Sequence, residues 1–133
     1  MIVDASVAFK WFVAERGSDD AHAVLRCAEP LTAPDLIVTE VAAALGKAVA
    51  AGALDAGDAM ASLERLPSLF VELAPAAPLV QRALALSLQL KQPVQACHYI
   101  ALAEARAQVL LTADRMLFRS ATGSRLERHL RLL

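Results

Sequence analysis

Three carboxylates occupy positions from which a fold can draw them together. Asp4 directly follows the short apolar run Ile2–Val3, and Asp114 lies just past a second run, "VLLT". If both runs are buried strands of one parallel sheet, the two aspartates emerge at the same edge, where ligands of such sheets gather. Glu40 lies in a stretch almost free of other charge, 36–46, and shares a helical face with Ile37, Val41 and Ala44, so it should be partly buried. Carboxylates crowded into one crevice repel one another, and burying an unpaired one is costly. A hard divalent cation relieves both penalties. An all-oxygen donor set suits Mg²⁺, which keeps several waters and binds through one or two carboxylates plus substrate phosphate. Such a centre activates water and stabilises charge on a phosphodiester as it is cleaved.

Each of these residues also has a structural reading. An aspartate after a strand caps a following helix, as Asp4 would for "SVAF" and Asp114 for the turn in "TADR". Glu40 is open to pairing with Lys47 or Arg26. Ser6 and Thr112 read as caps or turn hydroxyls, or as hydrogen-bond partners that hold Asp4 or Asp114. Trp11 and Phe12 read as core or interface residues, and His98 as surface or boundary packing rather than a general base. Cys27 and Cys97 match no metal-ligand spacing and read as two reduced, packed thiols.

The elements needed to position the acids emerge from pattern. "MIV" reads as a buried strand feeding a helix through "SVAFKWFVAE", which Gly17 and Ser18 break; "SDDAHAVLRCA" resumes it with Ser18 as N-cap. "PLTAP" is a short strand between prolines. "DLIVTEVAAALGKAVAAG" is a long helix stopped by Gly52, and "LDAGDAMASLERL" a further helix ending before Pro67. "LFVELA" is a strand, and "PLVQRALALSLQL" a helix up to the turn at Lys91, Gln92 and Pro93. A helix then runs from about Val94 to Ala107, "VLL" is a compact strand, "DRMLF" a helical turn, and "LRLL" an edge strand. Short apolar strands alternating with helices predict an α/β domain whose parallel sheet is covered on both faces.

At 133 residues with 57% hydrophobic content, residues 1–133 are expected to form one domain with a self-sufficient core. No run of about 18 uncharged apolar residues exists to span a bilayer, and Met1 leads into "IVDAS" without a basic region and long apolar segment, so a cytoplasmic protein is expected. The net charge of −1 does not advertise a polyanionic partner. From Asp114 onward, however, five arginines face Asp114 and Glu127, an excess of 5 − 2 = +3. Lys10, Lys47, Arg115 and Arg119 are candidate phosphate contacts.

Together, "MIVDASVAFKWF", "LTAPDLIVTEVAAAL", "QPVQACHYIALAE" and "VLLTADRML" occur in the order and spacing of a PIN-domain ribonuclease, and the chain resembles the VapC-type toxins of bacterial toxin–antitoxin pairs over essentially its whole length. The resemblance implies an α/β/α sandwich with a central parallel sheet, Mg²⁺- or Mn²⁺-dependent RNA cleavage, homodimerisation, and inhibition by a cognate VapB-like antitoxin. Position by position, Asp4 resembles the family's first metal-binding aspartate, Glu40 its helical glutamate, and Asp114 the acid after the late strand. The segment from Pro93 to Ala103 is similar to a family stretch that usually reads "PVYDCLYLALA". Ala96 therefore falls where the family places its third acid, an aspartate and principal metal ligand, and Gln95 replaces a frequent tyrosine. A methyl group cannot coordinate a cation, so the resemblance implies a weakened or inactive nuclease.

Two other classes compete. A catalytically dead PIN-fold binding module would keep dimerisation and antitoxin binding through apolar faces such as "SVAFKWFVA" and "SLQL". A phosphoacceptor receiver domain shares the size and strand-end acids, but Asp4 has no acidic neighbour and "VLLTADR" has no lysine.

Overall fold

A computed structural model describes residues 1–133. Five strands, β1 (Ile2–Val3), β2 (Thr32–Pro34), β3 (Glu72–Ala74), β4 (Leu110–Thr112) and β5 (Leu130–Leu132), form one sheet in the order β3-β2-β1-β4-β5, with every neighbouring pair parallel. Seven helices surround it: α1 (Ala5–Ala8), α2 (Ser18–Arg26), α3 (Ile37–Ala50), α4 (Ala56–Arg65), α5 (Val80–Leu90), α6 (Val94–Arg106) and α7 (Arg115–Ala121). This is the expected α/β/α architecture around a central parallel sheet, with "LRLL" at one edge. No helix is long and apolar enough to cross a membrane.

The sheet direction decides where chemistry can occur. Because all strands run the same way, their carboxyl ends share one edge, and the connections that leave the neighbouring strands β1 and β4, toward β2 and toward β5, run to opposite sides. Ligand crevices of open parallel sheets form at such a reversal. β1 and β4 are in register with Ile2 opposite Leu110 and Val3 opposite Leu111. One residue further along, Asp4 comes beside Thr112.

The core is built on both faces of this sheet, with Ile2, Val3, Ile37, Leu86, Ile100, Leu110 and Leu117 fully buried. α6 is buried along an unbroken run from Cys97 to Ala103, as a helix hydrophobic all round should be. His98 lies within that run at 6% exposure, with Nδ1 2.9 Å from the Val94 carbonyl oxygen. The surface or boundary position expected for it is corrected to a core one. Cys97 is buried as expected, but Cys27 is exposed.

Two local expectations also change. The helix expected over "SVAFKWFVAE" is α-helical only through Ala8 and tightens to a 3-10 turn over Phe9–Trp11. Tertiary bonds override its periodicity: the Trp11 indole N–H donates to the Ala21 carbonyl at 3.0 Å, and the Trp11 ring stacks obliquely on Phe70. Gly17 rather than Ser18 caps α2, at φ 86°, a left-handed conformation that favours glycine. Ser18 instead donates to the Val13 carbonyl and accepts from the Glu15 N–H, both at 3.0 Å, tying down the loop.

Candidate active site

Asp4 is 5% exposed and every bond it makes fixes its direction. As N-cap of α1 its Oδ1 accepts the Val7 N–H at 3.2 Å, satisfying an otherwise orphaned helix donor. Ser6 donates to the same oxygen at 2.6 Å, and the Thr112 hydroxyl donates to Oδ2. Ser6 and Thr112 are themselves held by the segment that leaves β4: the Ala113 N–H donates to Ser6 Oγ at 2.8 Å and the Asp114 N–H to Thr112 Oγ1 at 3.0 Å. The aspartate is thus anchored from two sequence-distant segments. Burial pushes the Asp4 carboxyl up to about 6, against the pull of the two hydroxyls and the Val7 N–H, with the Asp114 charge adding a smaller upward push.

Asp114 caps α7, accepting the Met116 and Leu117 N–H groups on Oδ1 at 2.9 and 3.0 Å. Capping and a place in the crevice are therefore compatible roles for both aspartates. Glu40 comes from the first turns of α3 and is half-buried. It bonds neither Lys47 nor Arg26; the Tyr99 hydroxyl on α6 donates to Oε2. Burial raises the Glu40 carboxyl, opposed by the Tyr99 bond and the nearby His98. The Tyr99 phenol is in turn raised by burial and by the Glu40 charge, so it stays a donor.

Asp4, Ser6, Glu40, Asp114, Tyr99 and Ala96 line one pocket of about 140 Å³. Ala96 faces the acids from the first turn of α6, a turn that carries no acidic residue. Tyr99, one turn further along, is the site residue that sequence reasoning misses; its spacing of three from Ala96 is the one signal for it. Lys10 and Arg115 line a separate cleft beside this pocket, while Lys47 and Arg119 stand exposed on α3 and α7 and line neither.

The oxygen donors have the chemistry that a hard divalent cation prefers. Their placement is incomplete: no three His, Cys, Asp or Glu side chains come close enough to hold a metal ion. Asp4, Glu40 and Asp114 border the pocket without closing into a ligand set, and Ala96 lines the same pocket.

Comparison with known proteins agrees with this geometry. The protein of Pyrobaculum aerophilum designated PAE2754 has a crystal structure that superposes with a TM-score of 0.72 at 24% identity, over 92% of this chain and 80% of that one. That likeness is one of fold. No curated protein matches the chain by sequence. The PIN domain family matches residues 1–123, which takes in β1 through α7 and with them Asp4, Glu40, Ala96 and Asp114. PIN domains are nuclease-type domains that generally use divalent metal ions, and a strand-end crevice of oxygen donors is what such chemistry requires; the chain belongs to the PIN domain family.

Proposed function

We propose that the chain is a VapC-type toxin, a metal-dependent endoribonuclease by descent whose site lacks one ligand. The observation that carries this reading is that Ala96 lines the same pocket as Asp4, Glu40 and Asp114. A divalent cation bound there would neutralise the crowded carboxylates and lower the pKa of a coordinated water. The chain's own residues supply the frame: Ser6 and Thr112 fix Asp4, and Tyr99 fixes Glu40. An aspartate at position 96 would sit in the first turn of α6, where the helix dipole favours negative charge by about 0.3–1 kcal/mol. The backbone is therefore already suited to it.

The test is RNA cleavage by the chain and by Ala96→Asp, each with Mg²⁺ and with chelator. Metal-dependent cleavage that appears, or rises at least about tenfold, in Ala96→Asp supports the reading; two folded proteins that both fail to cut remove it.

A second reading, a PIN-fold binding module, is favoured by the absence of any three-ligand group and by the bonds that already satisfy Asp4, Asp114 and Glu40. It takes a VapB-like antitoxin as partner and a second copy of the chain. Support for the dimer comes from Val80, Leu84 and Leu88, exposed at 49%, 51% and 73% and spaced by four along α5. Leu88→Lys is expected to leave a monomer in sedimentation where the unaltered chain is dimeric.

A further inference from the structure

The acid pocket does not end at the acids. It shares Ser6 and Glu40 with a second cleft of about 400 Å³, which in turn shares Lys10 and Ala113 with a third of about 340 Å³. The three adjoin one another in a row through these shared residues. The third cleft is lined by three cations, Lys10, Arg16 and Arg115, delivered by the turn after α1, the loop before α2 and the start of α7, together with Asp20 from the first turn of α2. Its volume falls within the range of about 300–1,000 Å³ typical of ligand sites.

These cations are not equivalent. Lys10 is engaged, donating to Glu15 Oε1 at 2.6 Å and to the Arg16 carbonyl at 2.9 Å. It holds the loop that presents Arg16 and so acts as a positioning residue. Neither Arg16 nor Arg115 makes an ion pair or donates a side-chain hydrogen bond within the chain, and both are exposed at the cleft. Two free guanidinium groups from distant segments, facing one opening, form a ready receptor for a phosphodiester, whose oxygens match their planar fork. Asp20 on the same wall opposes an anion.

We propose that Arg16 and Arg115 bind a phosphate of single-stranded RNA one or more nucleotides from the phosphate at the acid pocket, so that the strand runs across the three adjoining clefts. This deepens, and rests on, the nuclease reading above. An acidic peptide is the competing ligand; RNA is favoured because the clefts lead on to the acid pocket read above as a phosphodiester-cleaving site, and the peptide is an outcome of the test.

The test is anisotropy of a short fluorescent single-stranded RNA bound to the full chain in chelator, across a salt series. Each of Arg16→Ala and Arg115→Ala is expected to weaken binding about fivefold near 0.1 M salt and to flatten the log–log salt slope by about 0.7, the share of one phosphate contact on a single strand. Asp20→Asn should tighten binding. Arg65→Ala, on the exposed end of α4, serves as the control for general loss of positive charge. Unchanged affinity in both arginine variants, equal losses in the control, or loss of affinity only for a polyglutamate peptide would each overturn the proposal. RNA cleavage by Ala96→Asp, measured alongside, separates the two claims: cleavage with indifferent arginines removes the phosphate cleft and leaves the nuclease reading standing.

Discussion

Asp4 holds two roles that pull in opposite directions. Its cap and hydroxyl bonds stabilise the junction of β1, α1 and β4, yet burial holds its carboxyl at about 6 against 3.8 for an unperturbed one. A carboxyl raised on folding contributes stability that is fully present below its unfolded value and is lost as pH rises through the folded value. The window here is about pH 4 to 6, and the loss is at most about 3 kcal/mol. In chelator, Asp4→Asn should therefore unfold at higher urea than the unaltered chain at pH 8, with the gain vanishing toward pH 4. A gain that persists unchanged at pH 4 would show that charge burial is not its cause. Tyr99→Phe removes the hydroxyl that Glu40 accepts and should cost roughly 1 kcal/mol in denaturant unfolding. The two aspartates are legible in the sequence because each comes after a short apolar strand. Tyr99 is not, since a tyrosine in an apolar helical run reads as core, and its bond to Glu40 exists only once α3 and α6 dock. Arg16 is hidden for a similar reason: only the loop pinned by Lys10 brings it opposite Arg115.

At the scale of elements, periodicity locates the strands and the longer helices, because prolines, glycines and short apolar runs punctuate the chain cleanly. It fails where long-range bonds set the local geometry. The α1 region shows this, its helix tightening where Trp11 reaches Ala21, and so does Ser18, whose hydroxyl serves the preceding loop instead of the helix it was expected to cap. Two helix ends carry a cost unseen in the pattern. α5 ends at Lys91 with φ 55° and α6 at Ala107 with φ 51°, left-handed conformations that a side chain strains by about 1 kcal/mol or more. Both positions are exposed. Ala107→Gly and Lys91→Gly should each raise the melting temperature by a few degrees; an unchanged or lower Tm would mean that glycine's greater freedom in the unfolded chain offsets the relieved strain.

Across the whole molecule, the proposed function turns on one position. The parallel sheet, its register and the caps at its carboxyl edge bring Asp4, Glu40 and Asp114 to a common pocket, while Ala96 leaves that pocket without a fourth carboxylate. The motif resemblance makes the gap legible from sequence; composition and charge alone do not. The most direct measurement is a calorimetric titration of Mg²⁺ and Mn²⁺ into the chain and into Ala96→Asp. If position 96 is the missing ligand, Ala96→Asp should bind the ion at least about tenfold more tightly, with a matching rise in Tm when metal is added. Equal affinity in the two folded proteins would contradict the account, because the pocket would then gain nothing from the carboxylate it is held to lack.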